Sequence, residues 1–237
     1  MVESERPVGT IVPFNGAQWP NLRPLQGDFV HLEALDAVRH GPDLWAHMKA
    51  YPFLWDYLFE ELPKTEADFL KLISEACAKA DWQGYAICLP GGRVVGYAYY
   101  LNIVPMMGSI EVGNINFSPA LQRSPAASEA MYLMMREAFS LGYRRYEWKC
   151  NALNMPSRRA AQRLGFSWEG IFRQHMVVKS RNRDTAWFAM TDQDWTALQE
   201  AFQTWLSADN FGSDGGQKQS LRVLTSAARA TGDPAQE

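Results

Sequence analysis

The chain has 237 residues, of which 47% are hydrophobic and 21% are charged, and its formal net charge is −3. This apolar fraction excludes an intrinsically disordered chain, and the lack of a basic excess argues against a nucleic-acid partner. The length suffices to bury a core without disulfides or metals. Cys77, Cys88 and Cys150 form no Cys-x-x-Cys pair, so neither a disulfide framework nor a zinc site is indicated.

The N-terminal residues contain no signal-peptide type of apolar stretch, and no run of about 18 apolar residues occurs. We therefore expect a cytoplasmic protein with no membrane partner. The histidines show no metal-ligand spacing: His40 and His47 are separated by Gly41-Pro42, which predicts a helix break between them. We expect no metal.

Composition divides the chain into three regions. Residues 1–27 contain four prolines and predict an irregular N-terminal arm. Residues 28–207 have the length and patterning of one ordinary domain. Residues 208–237 are polar and rich in glycine, which predicts a flexible C-terminal tail with at most one marginal helical turn.

Within the domain, the hydrophobic period alternates between that of strands and that of helices. In chain order we predict a strand at 29–35, a helix at 43–50, a helix capped by Thr65, strands at 84–89, 93–102 and 109–117, a helix at 126–141, a strand at 143–150, a short helix from Asn154 to Gly165, strands at 166–178 and 184–191, and a helix from Thr191. This order indicates an α+β domain with a mixed, mostly antiparallel sheet flanked by helices.

The chemistry-bearing pattern is a strand, a turn of small residues and a helix start, from Ile110 to Met131. Nucleophile-elbow, P-loop and dinucleotide motifs are absent from the sequence. The free N–H groups and partial positive charge of a helix N-terminus can bind an anion such as a pyrophosphate. Many such junctions bind nothing, so the pattern alone leaves both interpretations open.

This stretch resembles the coenzyme A-binding motif of the GCN5-related N-acetyltransferase (GNAT) superfamily. The resemblance continues through Asn154-x-x-Ser157, Leu164-Gly165-Phe166 and Glu169-Gly170, which look like the series of the RimJ/RimL-like branch. It covers roughly residues 28–191. It implies a GNAT-type three-layer α/β/α fold and an enzyme that transfers an acetyl group from acetyl-CoA to a primary amine by direct attack. The acceptor would be a small molecule or a peptide, and a homodimer stays open.

The resemblance implies that the coenzyme contacts the strand end, the loop, the helix start and one later residue: Asn116, Phe117, Gln122, Arg123, Ser124, Ala126, Ala127, Ser128 and Asn154. Asn154 could instead cap its helix. The chain departs from the family at Pro125, where glycine is usual. Proline removes one N–H donor for phosphate, but it also suits the first helical turn and stiffens the loop, so weaker and stronger binding are both open.

The resemblance also implies catalytic roles. Glu111 corresponds to the strand glutamate that acts as general base, although an arginine partner could equally explain it. Ser157 is a candidate for thiolate protonation or a coenzyme contact, and the alternative is a hydrogen bond within its own helix.

Three residues of an aromatic run, Trp55, Asp56 and Tyr57, are candidates for an acceptor pocket in which Asp56 attracts an ammonium group, or are plain core.

Pro125 favours an alternative function, a non-catalytic acyl-CoA-binding sensor or module on the same fold.

Overall fold

A computed structural model describes residue 6 and residues 8–230, with eight strands and six α-helices in this part of the chain. The strands are β1 (Leu25–Gln26), β2 (His31–Ala34), β3 (Gln83–Cys88), β4 (Val94–Val104), β5 (Ser109–Phe117), β6 (Arg145–Asn151), β7 (Ser167–Val178) and β8 (Arg181–Thr191). The helices are α1 (Ala37–Met48), α2 (Glu66–Cys77), α3 (Pro125–Ser140), α4 (Met155–Arg163), α5 (Asp192–Leu206) and α6 (Leu221–Ala230). None of these helices combines the length and apolar character needed to span a bilayer.

The strands form one mixed sheet in the order β1-β2-β3-β4-β5-β6-β8-β7. Within the described residues only β5 and β6 pair in parallel, and the other neighbours are antiparallel. Two hydrophobic clusters cover the two faces of the sheet. One packs α1 and α2 on β3 and β4, and the other packs α3, α4 and α5 on the opposite face. The expected fold class, a mostly antiparallel sheet flanked by helices, is confirmed.

Local capping explains where two helices begin. Thr65 and Asp68 form a capping box at α2 that satisfies two otherwise free backbone N–H groups, and at α5 Asp194 accepts hydrogen bonds of 2.7 Å from both the amide and the hydroxyl of Thr191. The predicted break at Gly41-Pro42 is wrong, because α1 begins five residues before Pro42 and continues through it. The Asp36 side chain caps the helix by accepting a hydrogen bond of 2.7 Å from the Arg39 amide.

The expectation of a flexible C-terminal tail does not hold for residues 208–230. Helix α6 packs against α4 and α5, with Leu221 and Thr225 buried. The Thr225 hydroxyl donates a hydrogen bond of 3.1 Å to the carbonyl of Arg163. Apolar or small residues recur at helical spacing after the glycine-rich loop, and this amphipathic face gives the segment a reason to fold on the domain. Residues 231–237, and residues 1–5 and 7 of the predicted arm, lie outside the described part.

Candidate active site

The sheet opens between β5 and β6. The two strands pair in parallel over four residues, from Ser109 opposite Arg145 to Val112 opposite Trp148. Beyond this point β5 stays paired with β4, and β6 stays paired with β8 through Asn151. The backbone edges that face each other across the resulting gap no longer bond to one another. An extended ligand that offers its own hydrogen-bonding groups can therefore lie between the strands.

A β-bulge explains this opening. In the register of β4 with β5, Tyr99 is opposite Gly113 but Tyr97 is opposite Asn116, so β5 contains one extra residue. Asn114 lies at the bulge with a φ of 45°, a left-handed conformation that asparagine tolerates better than most residues. Because a bulge bends its strand and increases the local twist, β5 turns away from β6 from Gly113 onward.

Glu111 lies directly before the opening and is almost fully buried. Its Oε2 accepts hydrogen bonds of 2.6 Å from Asn102 Nδ2 and 2.8 Å from Lys149 Nζ. Its Oε1 has no hydrogen-bond partner among the described residues and would lie 3.2 Å from a Cβ placed on Gly113. The carboxylate therefore has one anchored oxygen and one oxygen beside the point where the strands part.

The partner of Glu111 is a lysine, where the sequence had suggested an arginine as the alternative to a general base. Lys149 also forms an ion pair of 2.8 Å with Glu147, which in turn accepts a hydrogen bond of 2.6 Å from Arg145. Burial alone would lower the pKa of Lys149, but the two carboxylates outweigh it and raise this pKa above its usual value. Burial would raise the pKa of Glu147, and its two cationic partners lower it instead. Lys149 is therefore the central charge of this cluster.

The loop before α3 presents several backbone donors at the far end of β5. Ser124 caps the helix, and Pro125 occupies its first position. The amides of Arg123, Ser124 and Ala126 have no hydrogen-bond partner among the described residues. Arg123 has a φ of 58°, so its backbone turns sharply here. These N–H groups and the helix dipole are the donors that the sequence analysis predicts for an anion.

Some side chains assigned to the coenzyme have local roles instead. The Ser124 hydroxyl donates a hydrogen bond to the Leu121 carbonyl at 2.5 Å and accepts one from the Ala127 amide at 3.2 Å. The buried Ser128 hydroxyl accepts a hydrogen bond of 3.0 Å from Arg163 Nη1. The Ser124 hydroxyl thus both donates and accepts within the protein, so any coenzyme contact of Ser124 would use its backbone, whereas the Ser128 hydroxyl still has its hydrogen to donate. Gln122 likewise donates from Nε2 to the Phe117 carbonyl at 2.8 Å.

Three buried polar atoms without hydrogen-bond partners lie in the part of β5 that has separated from β6, or in the residue that follows β5. They are Asn114 Nδ2, Asn116 Oδ1 and Ser118 Oγ. Asn116 uses its Nδ2 to donate a hydrogen bond of 3.3 Å to the Tyr97 hydroxyl, which leaves the amide oxygen unpaired. Buried polar groups in proteins are nearly always paired, so these atoms fit a ligand with amide groups better than an empty interior. The pantetheine arm of coenzyme A carries such amides, and the residues present fit it.

Asn154 and Ser157 lie together at the start of α4. Asn154 Oδ1 accepts a hydrogen bond of 3.1 Å from the Ser157 amide, so Asn154 is the N-cap, and its Nδ2 has no partner among the described residues. One side chain can therefore cap the helix and still donate to a coenzyme. The Ser157 hydroxyl accepts a hydrogen bond of 3.0 Å from Trp148 Nε1. Burial raises the pKa of the Cys150 thiol, and Ser157 acts on this pKa in the opposite direction. These contacts favour a packing role for Ser157.

The predicted acceptor residues Trp55, Asp56 and Tyr57 line one cleft of about 400 Å³. Trp55 is buried at its wall, and Lys179 Nζ donates a hydrogen bond of 2.7 Å to its carbonyl. Asn151 lines the same cleft and follows Lys149 by two residues on β6. Because alternate residues of a strand share a face, the cleft continues from the Glu111–Lys149 cluster.

Sequence reasoning missed Asn102, Lys149 and Arg183, because each gains its position through pairing between strands. Asn102 lies at a second bulge, with a φ of 45°, and reaches Glu111 across the β4–β5 pair. Arg183 lines the cleft that contains the predicted acceptor residues, from β8. Polar and aromatic or apolar residues alternate over 145–150, which places Lys149 on the polar face of its strand. This pattern could have identified Lys149 from the sequence.

A group of three potential metal ligands lies away from this cleft. The ligand atoms of His31, Glu33 and Cys88 are within 4.8 Å of one another. Glu33 already forms an ion pair with Arg39 at 2.8 Å and accepts a hydrogen bond of 3.1 Å from His40 Nε2, since His40 Nδ1 accepts from the Asp36 amide. Burial raises the pKa of the Cys88 thiol to about 12, which disfavours the thiolate that metals prefer. The contacts of Glu33 with Arg39 and His40 explain the position of its carboxylate without a metal.

The sequence model for the Acetyltransferase (GNAT) domain matches residues 21–167 of the chain. The chain belongs to the GNAT acetyltransferase family. A crystal structure of a GCN5-related N-acetyltransferase from Brucella melitensis is similar to it, with 43% identity and a TM-score of 0.87, over 90% of this chain and 99% of that one. A probable GNAT-family acetyltransferase from Chromobacterium violaceum shares 37% identity with a TM-score of 0.77, over 82% of this chain and 98% of that one. No curated protein gives a significant match.

A more distant GNAT structure shows the fold alone. The ribosomal alpha-N-protein acetyltransferase RimL, in complex with coenzyme A, is 20% identical to this chain with a TM-score of 0.60, over 71% of this chain and 98% of RimL. Membership of the GNAT family is thus shown at the level of the superfamily, and the RimJ/RimL-like branch rests on the quoted motifs.

Proposed function

We propose that this GNAT protein transfers an acetyl group from acetyl-CoA to a primary amine by direct attack of the amine on the thioester. The observation that carries the proposal is the position of Glu111 Oε1, which lies beside Gly113 where β5 and β6 part. The gap, the partnerless atoms along β5 and the free amides before α3 support an extended coenzyme that ends in phosphates. The Asn154-to-Glu169 motifs support a relation to the RimJ/RimL-like branch.

In this proposal Glu111 is the general base. An amine that arrives as ammonium must lose a proton before it can attack, and Oε1 is the oxygen of Glu111 not held by other side chains. Asn102 and Lys149 fix the other oxygen and supply a counter-charge. The amine nitrogen then bonds to the thioester carbonyl carbon, the carbon–sulfur bond breaks, and coenzyme A leaves as its thiol after taking a proton. No enzyme nucleophile is required.

Two measurements test this function. Saturating acetyl-CoA should raise the melting temperature, because a ligand that binds only the native state stabilises it. Release of free coenzyme thiol over a panel of amines should then show turnover. Binding without turnover on any amine would support the alternative, an acyl-CoA-binding module, for which Pro125 at the first position of α3 is the supporting feature.

Glu111→Gln tests the general base. It keeps the size of the side chain and its hydrogen bond with Asn102, but it cannot accept a proton. We expect turnover to fall by about 100-fold or more, with the dissociation constant of acetyl-CoA unchanged and the acidic limb of the pH–rate profile lost. An acidic limb that survives in the variant would remove Glu111 from the proton transfer. Glu75→Gln, on the exposed side of α2, is the matched control.

A further inference from the structure

The acceptor cleft contains a buried cation without a counter-charge. Arg183 on β8 lines the cleft, and only 7% of the residue is exposed. Its Nε is buried without a hydrogen-bond partner. Across the described residues, no carboxylate forms an ion pair with its guanidinium and no side chain or carbonyl accepts a hydrogen bond from it. The ring of Phe59 lies against it at 4.5 Å.

An uncompensated buried guanidinium is unfavourable for the fold. Moving a charge out of water costs several kcal/mol unless an opposite charge and hydrogen bonds replace its hydration. Burial accordingly lowers the pKa of Arg183, while Cys150 and Glu111 act electrostatically in the opposite direction. The contact with Phe59 supplies only a modest cation–π attraction. An anion from outside the chain would supply the partner that Arg183 lacks among the described residues.

The cleft around Arg183 carries both signs of charge. Lys179 and Arg181 line it together with Asp56 and Glu61. Lys179 is committed to the Trp55 carbonyl, and neither acid pairs with Arg183. A ligand with an ammonium group and an anionic group matches this mixture. A polyamine does not, because its further ammonium groups would face the unpaired guanidinium.

The planar guanidinium specifies the anion further. A guanidinium donates two parallel N–H bonds to a carboxylate, either from Nε and one Nη group or from its two Nη groups. We propose that Arg183 binds a carboxylate of the acceptor, so that the substrates are primary amines that carry a carboxylate group. The assignment of a carboxylate to the acceptor depends on the cleft, and the assignment of a primary amine rests on the proposed function. The amine end would point toward Glu111, because Asn151 of the cleft follows Lys149, the ion-pair partner of Glu111, on the same face of β6.

Matched amine pairs test the inference in the wild-type protein. The panel contains α-amino acids and ω-amino acids of increasing chain length, each beside its carboxamide, together with spermidine. Thiol release should give a kcat/KM at least about 10-fold higher for one or more acids than for the matching amides, the value of a charge-assisted hydrogen bond. Equal rates for every acid and its amide, or a preference for spermidine, would overturn the proposal.

Variants of Arg183 connect the preference to this residue. In Arg183→Gln the KM for the preferred acid should rise at least about 10-fold, with kcat/KM for its amide nearly unchanged, and Arg183→Lys should recover only part of the loss. Arg93→Gln, at the exposed β3–β4 turn, should retain the wild-type preference. The melting temperature of Arg183→Gln should not fall, since an unpaired buried charge is removed. An equal loss on acid and amide would assign Arg183 a structural role instead.

Product binding separates this inference from the proposed function. Calorimetric titration with the N-acetylated acid and its N-acetylated amide requires no turnover. If no amine is acetylated but wild type binds the N-acetylated acid and Arg183→Gln does not, the carboxylate site stands and the proposed function fails. If amines are acetylated without a preference for acids, the proposed function stands and the carboxylate site fails.

Discussion

Lys149→Met probes the charge cluster below the opening of the sheet. Lys149 forms ion pairs of 2.8 Å with both Glu111 and Glu147, and the side chains of these three residues are 14%, 7% and 14% exposed. Methionine keeps most of the length and apolar area of lysine and removes its charge. The two glutamates then lose their shared cation in a mostly buried setting.

Removing one partner of a buried ion pair costs about 3–5 kcal/mol, because the remaining charge stays desolvated. The cluster is partly exposed, and Glu147 keeps a second cationic partner, Arg145. Both features favour a cost at the lower end of this range, about 3 kcal/mol. For a domain of this size each kcal/mol corresponds to about 2–4 °C in melting temperature. We therefore expect Lys149→Met to melt about 6–12 °C below the wild type at pH 7.

The pH dependence gives a sharper test than the shift itself. In the wild type the lowered pKa of Glu147 contributes stability above the ordinary glutamate value, which is lost as pH falls through the folded-state pKa. The raised pKa of Lys149 contributes stability that is lost only as pH rises above the ordinary lysine value. Between pH 7 and 5 the lowered pKa of Glu147 and the raised pKa of Lys149 therefore add no pH dependence to the stability of the wild type.

In Lys149→Met both carboxylates lack their shared cation, so we expect the folded-state pKa of Glu147 to rise and the variant to gain stability as pH falls from 7 to 5. Calorimetric melting of both proteins over this range measures the difference. A constant or widening gap between them would refute the reasoning. Lys71→Met, which removes an exposed i,i+4 pair with Glu75, should change the melting temperature by less than about 2 °C.

Two further predictions concern α3. Pro125→Ala restores an N–H beside the free amides of Ser124 and Ala126, so coenzyme A should bind about fivefold more tightly by calorimetric titration; weaker binding would show that the proline preorganises the loop. Glu129 accepts hydrogen bonds of 2.9, 2.6 and 2.9 Å from the amides of residues 28–30. Glu129→Gln should therefore lower stability to unfolding by about 2–4 kcal/mol, measured against Glu75→Gln, and an unchanged denaturation midpoint would contradict this.

The positions and types of most elements in the domain follow from local sequence. Thr65 and Thr191 cap helices where their side chains and the acids three residues later predict, and Gly142 follows α3 with a φ of 91°. These features depend on contacts within a few residues, so they can be predicted without the fold. The strand after residue 109 and the helix start before residue 126 are likewise local patterns, and they carried the family resemblance.

Elements whose local signals conflict required the tertiary structure. Gly41-Pro42 reads as a break, yet α1 passes through it, because the Asp36 cap and the packing of Leu44 and Met48 fix the helix on both sides. Helix α6 follows a glycine-rich segment, and its apolar face is recognisable as a core face only when α4 and α5 lie beneath it. Composition gives only the average polarity of a segment, whereas the burial of a helix face depends on which other element packs against it.

The candidate site divides in the same way. By itself the sequence determined the family, the strand of Glu111, the helix start at Pro125 and the aromatic run that lines the cleft. Only the tertiary structure decided that Lys149 neutralises Glu111, that a bulge at Asn114 opens the sheet, and that Arg183 is buried without a partner. The physical reason is that ion pairs, bulges and desolvation arise between strands distant in the chain, where no local pattern records the register.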